Sequence, residues 1–286
     1  GNAVWIDEFL AHFPADYLRY YLAVNAPETR DADFSWKNFQ TVINGELINV
    51  VANLANRALS FIYTRFNRTV PAYDPKKGTG YDQQILDAIK TTLKKTKVLF
   101  DQFKVREATK EILELARLGN QYFQENEPWK MIKSDSQRTG NVLNVCVRLI
   151  EALSVLYYPV IPESALKLWN TLNTGKDLKA VNLSALETIA DAAGRTLSEP
   201  SPLFQKVEDS VIEVCLALLK SKTEKAEAKP EPKQKGEQDN LLPIEFADFK
   251  KVELKTAFIL SAEKVEKSNK LIKMKVKIGN EERQIV

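Results

Sequence analysis

Three asparagines and one arginine recur at helical spacing in the sequence GELINVVANLANRALSFIYTRF. At about 100° per residue, Asn49, Asn53, Asn56 and Arg57 fall within roughly 100° of one another; we call them the Asn/Arg stripe. Asn is a mediocre helix former, so a solvated helix face would more often carry Lys, Glu or Gln. Amides and a guanidinium can read the edges of unpaired RNA bases. The alternatives are an ordinary polar face that happens to use Asn, or Asn side chains that form hydrogen bonds with a neighbouring helix.

A second candidate lies at the helix break in the sequence NQYFQENEPWKMIK. Pro128 is expected to stop a helix, and Trp129 follows it directly, beside Glu and Lys. An aromatic ring at such a break can meet solvent and stack on a base. The competing interpretation is packing at the core or its rim, because large aromatic side chains are usually mostly buried.

Within residues 33–66, the helix that carries the stripe is predicted to begin after Ser35, its N-cap, and to run to about Arg65. One side of this helix is apolar and should face a core; it carries Ile43, Leu47, Val50, Val51, Leu54, Ala58 and Phe61. Trp36 is also expected in the core. The stripe occupies the opposite side.

Composition limits the classes of function. The 286 residues are 44% hydrophobic with a net charge of +3, so the chain is globular, and any nucleic-acid site must be local. Cys146 and Cys215 lie in apolar helical runs and are predicted to be buried thiols in a reducing compartment, without a metal site. We find no apolar run near the roughly 20 residues that cross a bilayer. We therefore expect a cytoplasmic protein without membrane contact.

Periodicity predicts long helices joined by short connectors, which is typical of an antiparallel bundle. The predicted helices span about 81–103, 105–124, 139–158 and 162–172, with a helical piece near 184–195 and a last helix from 207. We assign the bundle to residues 33–220. Residues 221–240 lack large apolar side chains and are predicted to be a disordered linker. Residues 241–286 alternate Lys with apolar residues and are predicted to form strands of an unfinished β-domain.

Four ordered motifs resemble the C-terminal half of methionyl-tRNA synthetases. They are PADYLRYYLAVNAPETRDADFSWKNF, GELINVVANLANRALSFIYTRF, NQYFQENEPWK and YYPVIPESALKLW. Residues 241–286 are similar to the first part of the oligonucleotide-binding (OB-fold) β-barrel that some members carry after a flexible linker. The resemblance implies a mainly α fold: a class Ia synthetase anticodon-binding antiparallel helix bundle, a linker and an incomplete β-barrel. Residues 1–32 would be the remnant of the segment that joins the catalytic domain to the bundle.

The resemblance also implies roles for particular residues. The family's anticodon-binding positions fall on Asn49, Asn53, Arg57, Pro128 and Trp129. Asn56 has no counterpart and remains an additional candidate for RNA contact. The β-segment adds candidates for phosphate contact, whose alternative role is protection of an exposed strand edge: Lys264, Lys267, Lys270, Lys273, Lys275 and Lys277.

The parent protein implied by this resemblance is a methionine–tRNA ligase. It would use ATP, Mg and Zn in other domains, bind tRNA(Met) including the initiator, and could form a homodimer through its complete C-terminal domain. The chain contains neither a His-Ile-Gly-His nor a Lys-Met-Ser-Lys-Ser signature, so we expect it to hold no catalytic residue and to be inactive alone. The alternatives are the bundle of another class I synthetase, such as the valyl or leucyl enzyme, or a helical protein-interaction scaffold without RNA binding.

Overall fold

The computed structural model describes residues 4–28, 31–183, 188–227, 251, 255–265 and 271–285, excluding the side chains of 219–227. The chain divides into two units, Gly1–Lys229 and Pro230–Val286. The first unit contains the helices and the second a small sheet. The fold is mainly α, as predicted.

The first unit is built from the following helices. They are α1 (Ile6–Leu10), α2 (Ala15–Val24), α3 (Trp36–Val42), a π-helical segment (Ile43–Ala52), α4 (Asn53–Arg65), α5 (Gly80–Asp101), α6 (Val105–Asn126), α7 (Pro128–Met131), α8 (Ser136–Tyr157), α9 (Pro162–Leu172) and α10 (Asp209–Glu227), with 3-10 turns at Pro75–Lys77 and Leu178–Ala180. Ser35 is the N-cap of α3, as predicted, and its hydroxyl accepts from the Asn38 amide N–H at 3.4 Å. The predicted helix near 184–195 is wrong at residues 188–195, which are irregular.

Helix α8 is the centre of the core and is buried along almost its whole length. Contrary to the sequence expectation, α8 is long and apolar enough to cross a membrane, but 94% of that apolar window is buried inside the protein. Cys146 of α8 and Cys215 of α10 are free and buried, which confirms their prediction as buried thiols.

The predicted boundaries of the bundle need correction at both ends. Phe9 of α1 packs against Phe39 of α3, with ring centroids 5.2 Å apart, and against the buried Trp36 at 6.0 Å. The segment before residue 33 therefore shares the core of the bundle, because its aromatic rings complete the same cluster. At the other end, α10 continues to Glu227, so a linker beginning at residue 221 is wrong for its first seven residues. Residues 228–240 lie outside the described part of the chain.

The central helix, defined here as α3, the π-helical segment and α4, is not a regular α-helix. Its winding widens over Ile43–Ala52. Asn120 of α6 donates from Nδ2 to the Val50 carbonyl oxygen at 2.8 Å. A side chain that bonds to a carbonyl of the helical ladder favours such an irregularity. Val50 and Phe61 are only half-buried, whereas the other predicted core positions are buried: Ile43, Leu47, Val51, Leu54 and Ala58.

The second unit contains three antiparallel strands in the order β1 (Phe258–Lys264), β2 (Ile272–Ile278) and β3 (Glu281–Ile285). Lys273 pairs with Glu263, and Val276 with Arg283. The predicted turn after β2 is confirmed, with Gly279 at a positive φ of 60°. Val276 is buried, while every residue of β1 and β3 is exposed.

Candidate nucleic-acid interface

The stripe faces a matching row of amides on α6. Asn53 and Arg57 are four residues apart on α4, and Asn120 and Gln124 have the same spacing on α6. The Asn53 Nδ2 donates to Asn120 Oδ1 at 3.4 Å, and the Arg57 Nη2 donates to Gln124 Oε1 at 2.7 Å. These pairs link the two helices at the surface, and Asn53 remains exposed to solvent.

The Pro-Trp corner brings an indole to the same place. Helix α6 ends because Glu127 adopts a left-handed conformation, with φ 42°, and Pro128 then starts α7. This reversal turns the half-buried Trp129 ring towards the Arg57 guanidinium, which lies 5.3 Å from the ring centroid. The guanidinium is also 4.8 Å from the Phe123 ring, so it interacts with two aromatic faces.

A buried ion pair lies beneath the corner. The Arg138 guanidinium donates to both carboxylate oxygens of Asp82, at 2.7 and 2.8 Å, and to Asn126 Oδ1 at 2.9 Å. Tyr122 donates to the same carboxylate at 2.7 Å. Burial alone would raise the pKa of the Asp82 carboxyl. The opposing effects are the positive charge of Arg138 and the hydrogen bonds that the carboxylate accepts from Arg138, Tyr122 and Thr79. Together they outweigh burial, so the pKa is lowered. The ion pair thus ties the last residue of α6, just before the corner, to α5 and α8.

Between α4 and α6 lies an open depression of about 340 Å³. None of the described residues that line it is acidic, although the chain contains 38 Asp and Glu residues. The lining is amide and guanidinium with one apolar residue: Asn49, Val50, Asn53, Arg57, Arg117, Asn120, Gln121 and Gln124. Such a surface suits a polyanion that carries hydrogen-bonding edges.

The structure brings most of the predicted residues together. Asn49, Asn53 and Arg57 line the depression, and Trp129 contacts Arg57. Pro128 is buried and shapes the corner without facing solvent. Asn56 is exposed but does not line the depression; it lines a separate groove on the other flank of the central helix.

The predicted lysines belong to the second unit. Lys264 and Lys275 are exposed and Lys273 is half-buried. Lys273, Lys275 and Lys277 alternate with apolar residues along β2 and so share one face. Lys267 and Lys270 lie outside the described residues.

Sequence reasoning missed the α6 half of the depression. Arg117, Asn120, Gln121 and Gln124 have the spacing i, i+3, i+4 and i+7, so they lie on one face of α6. The same test that revealed the Asn/Arg stripe, an amide-rich row on one helix face, could have found them. In the part of the chain that the structure describes, no group of three or more His, Cys, Asp or Glu side chains could hold a metal ion.

A family model described as the anticodon binding domain of methionyl tRNA ligase matches residues 72–217, slightly more than half of the chain. The chain belongs to the methionyl-tRNA synthetase family. A second model, of class I tRNA synthetases (M), matches residues 1–59. Asn49, Asn53 and Arg57 thus fall within one matched range, and Pro128 and Trp129 within the other.

Relatives and solved structures agree with this membership. The chain is 38% identical over 98% of its length to a methionine–tRNA ligase of Methanopyrus kandleri, and 38% identical over 99% to one of Bacteroides fragilis. It spans 39% and 41% of those two proteins. A crystal structure of Mycobacterium tuberculosis methionyl-tRNA synthetase in its free state superposes with a TM-score of 0.66 at 25% identity, covering 72% of this chain and 41% of that protein.

Proposed function

We propose that this chain recognises the anticodon of tRNA within a methionine–tRNA ligase. The observation that carries the proposal is the convergence of the exposed Asn53 with the half-buried Arg57 and Trp129, whose guanidinium and indole ring centroid are 5.3 Å apart. An indole offers a stacking face for an unpaired base, while amides and a guanidinium offer donors and acceptors for its edge. The family to which the chain belongs supports the same role.

In the proposed mechanism, the anticodon bases leave the loop stack and enter the depression. One base stacks on Trp129, and the others form hydrogen bonds with Asn49, Asn53 and Arg57. The free amide atoms support this role: within the described residues, Asn49 makes no side-chain hydrogen bond, and the Asn53 Oδ1 accepts none. The buried Pro128 fixes the direction of the Trp129 ring and makes no base contact.

The test compares three anticodon stem-loop RNAs that differ only in the anticodon. We expect the chain to bind the RNA with the methionine anticodon more tightly than one with the isoleucine or valine anticodon. Asn53→Ala should reduce that preference, whereas Thr64→Ala, at an exposed position on the same helix but outside the depression, should preserve it. Equal affinity of the unmodified chain for all three RNAs would overturn the proposal and favour a protein-interaction scaffold.

The lysines of the second unit are proposed to add phosphate attraction with little sequence information. Lys264, Lys273, Lys275 and Lys277 are the described members of this set. Deletion of residues 241–286 should lower tRNA affinity at low salt and leave the anticodon preference unchanged. Unchanged affinity would instead favour their alternative role at an exposed strand edge.

The complete protein is proposed to join L-methionine to tRNA(Met), including the initiator, with conversion of ATP to AMP and diphosphate. ATP, Mg and Zn would bind in parts of the protein other than this chain, and the ligase would act in the cytoplasm, with a homodimer as one assembly. The present chain alone should form no methionyl adenylate, and a pyrophosphate-exchange assay tests this directly.

A further inference from the structure

A second concavity lies on the opposite flank of the central helix. It has a volume of about 520 Å³, within the range of about 300–1,000 Å³ typical of small-ligand pockets. Helix α9 forms the facing wall, and residues 200–204 close one end. We call this concavity the groove. Neither Arg57 nor Trp129 lines it.

The groove and the depression share two residues. Asn49 and Asn53 line both, whereas Asn56 lines only the groove and Arg57 only the depression. The Asn/Arg stripe is therefore a ridge with a concavity on each side. A chain that crosses this ridge can place one nucleotide on each flank without leaving the amide surface.

The polar rim of the groove has atoms available for a ligand. Within the described residues, Asn56 Nδ2 donates to no protein atom, and Asn56 Oδ1 accepts only from the Ser60 hydroxyl at 3.2 Å. Lys167 is exposed and uses one ammonium hydrogen on the Pro202 carbonyl at 2.6 Å. None of the described lining residues is acidic. The rim thus favours an anionic ligand that has hydrogen-bonding edges.

The interior of the groove is apolar and its walls are fixed. Ala52, Ala55 and Leu59 of the central helix face Leu168 of α9 and Leu203. Several hydrogen bonds hold the wall beyond Leu203 against the bundle: Asn44 bonds to the Val207 backbone at 2.9 Å through both its amide atoms, and Tyr17 bonds to the Gln205 backbone at 2.6 and 2.7 Å. A flat aromatic ring can therefore enter without reorganisation of the backbone.

We propose that the groove binds a further unpaired nucleotide of the same RNA loop, beyond those in the depression, with its base against the apolar wall and its phosphate near Lys167. The proposal rests on the anticodon role proposed above and extends it across the ridge. A nucleotide is favoured over a protein segment because the groove continues the base-reading surface through Asn49 and Asn53, and because its lining lacks negative charge. Asn56 thereby acquires a role that its position outside the depression does not provide.

The test fills the groove without changing the depression. Thr171 is half-buried in the groove wall, and its hydroxyl bonds only to the Lys167 carbonyl within its own helix, at 2.9 Å. Thr171→Trp should weaken binding of an anticodon stem-loop RNA by about tenfold, the scale of one lost base contact. The matched control is Thr91→Trp, because the exposed Thr91 makes the same bond to Asp87 and lines neither concavity.

A set of stem-loop RNAs, each with one abasic loop position, identifies the nucleotide. For one abasic RNA, Thr171→Trp should cause no further loss of RNA affinity, because the nucleotide that the groove binds is already missing its base. The RNA for which Trp129→Ala causes no further loss should be abasic at a different position. Asn56→Ala should lose its effect on affinity for the same abasic RNA as Thr171→Trp. Because Asn56 is exposed, this variant separates a loss of groove contacts from a disturbance of the fold. The proposal is overturned if both groove variants bind all RNAs like the unmodified chain while Trp129→Ala is impaired. Absence of RNA binding by the unmodified chain would instead reject the anticodon role and the groove proposal together.

Discussion

Replacement of Trp129 by Ala is the most direct test of the stacking role. The ring is half-buried and packs on one side against Phe123, with centroids 5.9 Å apart at an interplanar angle of 39°. Loss of stacking with one base costs about 1–3 kcal/mol, which corresponds to about 5- to 150-fold in the dissociation constant. Arg57 would lose one aromatic neighbour but keep Phe123 and Gln124, so its displacement should add little. We therefore expect about tenfold weaker binding, or more.

Fluorescence anisotropy with a labelled anticodon stem-loop RNA measures this change at several salt concentrations. Trp129 is uncharged, so the slope of log K against log salt should stay the same while the curve shifts downward. Trp129→Phe should recover much of the affinity, because it keeps an aromatic face. Trp5→Ala is the matched control, since that indole is 61% exposed on another part of the bundle.

Two results would refute the reasoning on Trp129. The first is unchanged affinity in Trp129→Ala with an unchanged unfolding curve. The second is an equal loss in Trp5→Ala, which would mean that any exposed indole contributes and that the corner is not a specific stacking site. A parallel measurement of the free energy of unfolding separates these outcomes from simple destabilisation, because Trp129 also packs against Phe123.

Three further predictions concern the site and its support. Arg57→Lys keeps the charge but loses the planar fork, so discrimination between anticodons should fall about tenfold at an unchanged salt slope; equal discrimination in a competition assay would contradict this. Asp82→Asn removes the opposite charge that pairs with the 12%-exposed Arg138 side chain and should reduce the free energy of unfolding by about 3–5 kcal/mol at pH 7. Because the pKa of Asp82 is lowered in the folded state, the ionised carboxylate stabilises the fold above the ordinary carboxyl pKa, and this stabilisation is lost as the pH falls below about 4. Denaturant unfolding curves of the wild type and the variant, recorded at a series of pH values, should therefore converge only in acid. Burial raises the pKa of the Cys146 thiol, so iodoacetamide at pH 8 should leave it unmodified until denaturant is added, as mass spectrometry would record.

Local patterns in the sequence were sufficient for one half of the site. The Asn/Arg stripe stands out because Asn is costly on an exposed helix, and Asn49, Asn53 and Asn56 are indeed exposed. Trp129 was located by the proline before it. The expectation that Trp129 lies near the Asn/Arg stripe came from the family resemblance alone. The pattern of residues within one helix does not indicate which other helix packs beside it.

Tertiary contacts determine what the sequence could not reveal. The widened winding of Ile43–Ala52 involves a bond from Asn120, which lies 70 positions from its acceptor Val50. The apolar residues of this stretch also follow the spacing of a regular α-helix, about 100° per residue, so the sequence pattern gives no sign of the wider winding. The division of the stripe between two concavities likewise depends on α9 and residues 200–204. Long-range hydrogen bonds join Ser164 of α9 to Asp16 of α2, and join the residues just after 204 to the central helix and α2.

The position of Arg57 in the free protein suggests how a wrong base would be rejected. Its guanidinium already has partners, with two aromatic rings at 4.8 and 5.3 Å and the Gln124 amide oxygen at 2.7 Å. A base that recruits Arg57 must replace these contacts, so only an edge with matching acceptors recovers their free energy. A base without them leaves a desolvated guanidinium with fewer partners, a cost of about 1–3 kcal/mol. The Asp82–Arg138 pair holds the nearby corner through Asn126, so under the proposed anticodon role it would limit relaxation around a poor match, and rigidity of the support would add to the specificity.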